Sequence, residues 1–280
     1  MNLINVREEE LKDIFDVLEE VFRELKIDYY LIGAVARDIW YSRGNKQFRR
    51  TKDVDFAVMV GSQREYEVLR GYLKMHKGFI GTRENSFVLI SSTGIQVDIL
   101  PFGDIAGDTA VRIEGMGLTN IQVDGFVEVY KSGIAGVELT TGHHFKVATL
   151  PAIILLKLIA FDDRPEIRFK DARDIANILE HYFELQADFI YGNHLDLFDD
   201  NRPSFNAPDL SEISGIVIGR EIKRITAGNE QLQARLVKIL QTQIGEAENS
   251  SFVRNMVAET GSTVEEALER LNSLLTGMDF

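Results

Sequence analysis

Residues 29–60 read YYLIGAVARDIWYSRGNKQFRRTKDVDFAVMV, and two apolar runs inside this stretch set the reading of the whole chain. The first, Tyr29 to Ile32, ends at Gly33 and passes straight into Ala34-Val35-Ala36-Arg37-Asp38. The second opens as Thr51-Lys52-Asp53-Val54-Asp55-Phe56-Ala57-Val58, with two carboxylates one residue apart at its head. Strand side chains alternate between faces, so Asp53 and Asp55 are expected to point the same way, roughly 7 Å apart at their Cα atoms. Two like charges held that close repel, and they suit a divalent cation that joins them. Hard oxygen donors select Mg²⁺, which keeps several waters and completes its shell with substrate phosphates. Gly33 at a helix start supplies the other half of such a site, because free N–H groups and the helix dipole favour an anion there. A phosphate cradle beside a carboxylate pair is the minimal equipment for phosphoryl or nucleotidyl transfer.

Upstream, Leu11, Ile14, Phe15, Leu18, Phe22 and Leu25 recur at three- and four-residue spacing and predict an amphipathic helix over 7–26. A second helix is expected over 34–41. Residues 42–52 form a polar loop with Arg43, Lys46, Arg49, Arg50 and Lys52, which is either a solvated basic loop or one that meets triphosphate or RNA. Downstream, 65–76 reads as a helix with Tyr66, Leu69 and Leu73 on one stripe, and 86–91 as a strand. Residues 94–103 form another strand with Asp98 alone among apolar neighbours. A lone acid in such a run is costly to bury unless paired or bound to metal. Asp98 therefore reads as a third carboxylate facing the first two; the alternative is a strand-end Asp that bonds a turn. Residues 104–145 look irregular with short strands, the clearest being Phe126-Val127-Glu128-Val129-Tyr130. His143-His144 makes a poor chelate, since adjacent strand residues face opposite sides.

The texture changes at Thr149-Leu150-Pro151, where Thr149 suits an N-cap and Pro151 a first helical turn. The expected boundary separates 1–148 from a mainly helical 149–280. Helices are predicted over 152–161, which carries Lys157, and over 169–183. Further ones follow at 209–226, 229–246 and 263–276. In the acidic loop 192–209, Asp196, Asp199 and Asp200 read as solvated rather than as calcium ligands.

Composition bounds the rest. At 280 residues the chain can bury a sizeable core, and 45% apolar with 27% charged residues is the profile of a soluble globular protein. No apolar run reaches the roughly 20 residues that span a bilayer, and the acidic start MNLINVREEELKDIF is unlike a signal peptide. Cytoplasmic residence without membrane contact is the expectation. With no cysteine, thiolate nucleophiles, disulfides and Cys-based zinc sites are excluded. A net charge of −13 argues against a broad nucleic-acid surface and leaves room only for a small basic patch.

Three segments together resemble the nucleotidyltransferase superfamily of the polymerase-beta type: Gly33-Ala34-Val35-Ala36-Arg37-Asp38, Arg50-Thr51-Lys52-Asp53-Val54-Asp55-Phe56 and Val97-Asp98-Ile99-Leu100-Pro101-Phe102-Gly103. The nearest likeness is to the AbiEii/AbiGii toxin family of bacterial nucleotidyltransferases. Leu150-Pro151 with Leu155 to Arg164, and Lys170-Asp171-Ala172-Arg173-Asp174-Ile175, resemble that family's second half, so the likeness covers residues 29–182. It implies an α+β fold: a short mixed sheet with flanking helices, then a helical domain, with the active site in the cleft between. It implies that Asp53 and Asp55 bind metal, and that Asp98 serves as the third metal ligand or as a base. Two Mg²⁺ ions are expected, with Mn²⁺ as the substitute.

By the same resemblance Lys157 and Asp171 support catalysis, while Thr51, Arg164, Lys170 and Asp174 belong to the nucleotide site. Ala34 stands where the superfamily has Ser or Gly, which leaves the triphosphate to backbone N–H groups at Gly33 and Ala34 and to Arg37. Plainer roles stand beside these. Lys157 could snorkel to the surface, Asp171 and Asp174 could serve only the helix dipole, and Arg37 could pair with Asp38.

The implied reaction moves a nucleoside monophosphate from an NTP to an acceptor hydroxyl of RNA, tRNA included, or of a protein. A toxin of this kind implies a cognate antitoxin. Two rivals remain: a non-catalytic nucleotide-binding module of the same fold, and a tRNA-processing nucleotidyltransferase, whose Gly-Gly-X-X-Arg-Asp turn is similar to Gly33–Asp38.

Overall fold

In the computed structural model, which describes residues 8–44, 53–107, 109–139, 141–198 and 209–279, both apolar runs of the opening stretch are strands. The chain divides into two compact units, Met1–Thr149 and Leu150–Phe280.

The first unit is built from α1 (Glu8–Leu25), β1 (Tyr29–Ile32), α2 (Gly33–Arg43), β2 (Asp53–Met59), α3 (Gln63–Lys77), β3 (Ile80–Gly81), β4 (Val88–Ile90) and β5 (Gln96–Phe102). A short hairpin of β6 (Ala110–Arg112) and β7 (Asn120–Gln122) follows, then α4 (Phe126–Ser132), β8 (Ile134–Glu138) and β9 (His144–Ala148). Among the described residues the main sheet has seven strands in the order β3-β4-β5-β2-β1-β9-β8. It is mixed: β2 pairs antiparallel with β1 but parallel with β5, and β1 pairs parallel with β9.

Alternation along β1 and β2 sorts the core into two layers. Phe56 and Tyr29 face α1, where Phe15 and Phe22 meet Phe56 edge-on; Phe22 lies tilted 4.4 Å from Tyr29 and Phe15 4.9 Å from Phe145, centroid to centroid. Tyr30 and Phe102 face the other way, toward Phe126 and Tyr130, and the Tyr30 hydroxyl donates to the Phe126 carbonyl at 3.0 Å. Aromatic pairs of this geometry add to simple burial. The carboxylates of β2 and β5 share this second face.

One expectation changes here. Phe126–Tyr130 is helical, not a strand. Gly125, at φ +81°, turns the chain into α4, and Phe126 and Val129, three apart, are the buried pair. A five-residue window of apolar residues around one acid fits both periods, and only the buried spacing decides. Asp196 is exposed, as expected, and is paired as well. It sits in a 3-10 turn, Leu195–Phe198, and receives a fork from Arg220 at 3.0 and 2.6 Å. Asp199 and Asp200 lie outside the described residues. His143 and His144 do face opposite sides: His143 is buried and bonds Asp16 and Thr141, while His144 is exposed.

The second unit is helical: α5 (Leu150–Asp163), α6 (Phe169–Asn193), α7 (Leu210–Ile225), α8 (Glu230–Glu246), α9 (Ser251–Thr260) and α10 (Val264–Asp279). Apolar residues surround α5 on nearly every side, which makes it the buried centre of the unit. Helices α7 and α10 touch through backbone: a Cβ on Gly219 would overlap the Leu274 carbonyl, and one on Gly277 would overlap that of Ile216. No helix among the described residues is long and apolar enough to cross a membrane.

Candidate active site

Register brings the acids of two distant segments together. In the parallel pairing of β2 with β5, Asp55 lies beside Asp98 and Asp53 beside Gln96. Lateral neighbours in a sheet project from the same face, so Asp53, Asp55 and Asp98 share one. All three are partly exposed at the strand ends, where a ligand can reach them. Gln96 belongs to the group as well: its Nε2 donates to Asp98 Oδ1 at 2.8 Å. Its place two residues before Asp98, on the same face, was the available sequence signal.

The glycine turn arrives beside them. Ile32 of β1 pairs with Asp55, so the next residue, Gly33, lies against that side chain. A Cβ on Gly33 would overlap Asp55 Oδ2, and Gly33 has φ +68°, a region that side chains disfavour. Two independent constraints therefore demand glycine. Helix α2 starts here with no side-chain cap and no acid in its first turn. Its leading N–H groups and the positive end of its dipole lie beside Asp55, whose carboxylate packs on Gly33. Ala34 is in this first turn. Arg37, only 3% exposed, donates from Nε and Nη2 to Asp38 Oδ1 at 3.2 and 3.0 Å. Thr51 and the basic residues Lys46, Arg49, Arg50 and Lys52 lie outside the described residues.

The donor set suits a hard divalent cation: three carboxylates on one face, beside a turn stripped of side chain. As placed, their oxygens do not close on a common point; among the described residues no three acidic or histidine side chains form a ready metal group. Gathering them asks for side-chain rotation alone, since neighbouring strands lie about 4.8 Å apart. One of the rotations would take Asp98 from Gln96.

The second unit holds a separate charged cluster. Lys157 does not snorkel; its Nζ is 2.7 Å from both Asp171 Oδ1 and Asp174 Oδ2, with its side chain 14% exposed. Burial alone would lower the Lys157 pKa, but the two carboxylates outweigh it and hold the pKa above its ordinary value. Asp171 Oδ2 is buried without a hydrogen-bond donor, with Arg168 Nη1 3.7 Å away. Arg164 pairs with Asp163 at 3.0 Å, and Lys170 is exposed in the first turn of α6.

Residues 16–270 match the family described as nucleotidyl transferase AbiEii toxin, type IV TA system. No curated protein matches the chain. Among solved structures, the antibiotic-resistance factor ANT(2'')-Ia in solution is 14% identical, covering 66% of this chain and 94% of its own, at a TM-score of 0.38. The Thermotoga maritima CCA-adding enzyme complexed with tRNA is 13% identical, covering 98% of this chain and 82% of its own, at a TM-score of 0.26. Superpositions this loose carry no weight for substrate or mechanism.

Proposed function

The chain belongs to the AbiEii nucleotidyl transferase toxin family, and from that premise we propose that it moves a nucleoside monophosphate from an NTP to an acceptor hydroxyl, releasing pyrophosphate. The observation that carries this reading is the register of Asp55 on Asp98 with Gly33 packed against Asp55. Asp53, Asp55 and Asp98 are the residues that would hold Mg²⁺, or Mn²⁺ in its place. Such ions, when bound, neutralise triphosphate charge and lower the pKa of an attacking hydroxyl.

The chain's own part is positioning. Backbone N–H groups at the start of α2 offer donors to phosphate oxygens, and the bare Gly33 lets them approach. Arg37 is fixed one turn further on by Asp38. Holding nucleotide and acceptor in line supplies much of the rate, since phosphoryl chemistry asks little covalent work of a protein. The proposal assigns Lys157 and Asp171 to the same reaction, with Thr51, Arg164, Lys170 and Asp174 on the nucleotide.

The acceptor is proposed to be RNA, tRNA included, or a protein hydroxyl, and the activity to be a toxin's, restrained by a cognate antitoxin. Incubation with each labelled NTP, Mg²⁺, and total RNA or cell lysate should yield one labelled species. Asp53→Asn and Asp55→Asn should each abolish it; normal incorporation by both would overturn the site. The second reading, a module that binds nucleotide and transfers nothing, draws on the ungathered acids and on Ala34, which lacks a hydroxyl. Calorimetry decides: metal-independent NTP binding with no labelled product favours the module.

A further inference from the structure

Helix α3 carries four Lys and Arg residues that the site above does not use, and two of them, Arg70 and Lys74, come together. One turn apart, they share a flank of the helix. Their heads converge over Gly81 of the edge strand β3. A Cβ on Gly81 would lie 3.1 Å from Lys74 Nζ and 3.7 Å from Arg70 Nη2, so the glycine leaves open a point that both can reach. Among the described residues neither cation forms an ion pair, in a chain whose net charge is −13.

Arg70 is instead laid over the Tyr66 ring, 5.8 Å from its centroid, and the buried Tyr66 is fixed by a 2.6 Å hydrogen bond to the Ile99 carbonyl. Arg70 Nε is buried without an acceptor. Like charges at this spacing destabilise a helix. Although Lys74 is exposed overall, partial burial first and the Arg70 charge second hold its pKa below the ordinary value. Cations that merely guard a sheet edge from pairing would spread into solvent; these two come together.

We propose that Arg70, Lys74 and the open face of Gly81 form a binding site for a phosphate-type oxyanion. A guanidinium held by stacking and an ammonium on a flexible stem suit one tetrahedral anion between them. Free phosphate and the backbone of a nucleic acid offer the same chemistry. The site stands independently of the nucleotidyl transfer proposed above.

The test follows the Lys74 side-chain signal by NMR in the full chain labelled at lysine, titrated at constant ionic strength with inorganic phosphate and, separately, with a single-stranded oligoribonucleotide. Lys74 should shift saturably, and its pKa should rise as the anion binds. Gly81→Ala, which fills the open point, and Arg70→Gln should each weaken binding about tenfold, the worth of one charge-assisted hydrogen bond. Response to oligoribonucleotide at lower concentration than to phosphate assigns the site to nucleic acid; the reverse assigns it to the free ion. A Lys74 signal indifferent to both, or wild-type affinity in Arg70→Gln, overturns the proposal. The wild-type reading stands even if a variant fails to fold.

Discussion

Asp55 and Asp98 stand side by side across the parallel pairing of β2 and β5, forty-three positions apart in sequence and adjacent in the sheet. Neighbouring carboxylates on one face repel, so removing one charge should relieve the fold while it removes the chemistry. Asp98→Asn is expected to lose at least about 100-fold in NTP incorporation, the scale set by losing a preorganised electrostatic group. Its melting temperature should be unchanged or higher. Incorporation assays beside thermal melts read both; a variant that loses stability and activity together would make Asp98 structural.

Gly33→Ala should fail twice. The added Cβ overlaps Asp55 Oδ2, and the backbone at φ +68° costs a side chain about 1–2 kcal/mol before any clash. Urea unfolding should show a loss of at least that size, and the displaced Asp55 should take activity with it. Unaltered stability would mean that the turn at Gly33 is more yielding than its geometry implies.

Lys157→Met removes the cation that Asp171 and Asp174 share and leaves their two like charges side by side. Breaking a buried pair on one side costs about 3–5 kcal/mol, whereas neutralising the whole cluster costs far less. The triple variant Lys157→Met/Asp171→Asn/Asp174→Asn should therefore recover much of the stability that the single variant loses. If Lys157 takes part in the reaction, the triple variant stays inactive; recovered activity would leave the cluster a purely structural role. The folded pKa of Lys157 lies above the ordinary 10.5, because the two carboxylates outweigh burial. Its contribution to stability is therefore whole below pH 10.5 and is lost as pH rises through the folded value.

His194 should make the protein sensitive to mild acid. Arg220 Nη1 lies 3.3 Å from Nδ1 and can only donate, which puts the ring proton on Nε2, buried and without an acceptor. Burial first and the Arg220 charge second lower its pKa below 6.5. The unfolded chain then takes the proton more readily, so this contribution is complete above pH 6.5 and falls away as pH drops through the folded value. His194→Gln should flatten the decline in urea midpoint on going from pH 7 toward pH 5. An unchanged decline would place its cause elsewhere.

Sequence legibility followed the range of the interactions. Gly33, Asp53, Asp55 and Asp98 could be picked out because strand alternation and the cost of a lone buried acid are local rules. Their convergence could be expected but not seen, since register between β2 and β5 is set by the sheet. Phe126–Tyr130 misled because five residues are too few to separate a period of two from one of 3.6. Helix α9 is absent from the expected elements although its signals are present: Ser250 caps it by accepting from the Val253 N–H, and Gly261 closes it in a left-handed turn. The Asp196–Arg220 pair and the bond from Gln96 to Asp98 differ in the same way. The first spans a gap that no spacing rule covers, while the second joins same-face neighbours two residues apart on one strand.

The parallel neighbour of β1 is β9, whose Val147 meets Leu31 more than a hundred residues later in the chain. Until that late strand docks, the segment that ends in the Gly33 turn has one flank unpaired. Contacts of such long separation slow folding, because a large loop must close before they reward it. Synthesis from the N-terminus therefore delivers the Gly33 turn and the β2–β5 pair well before the strand that completes the flank of β1.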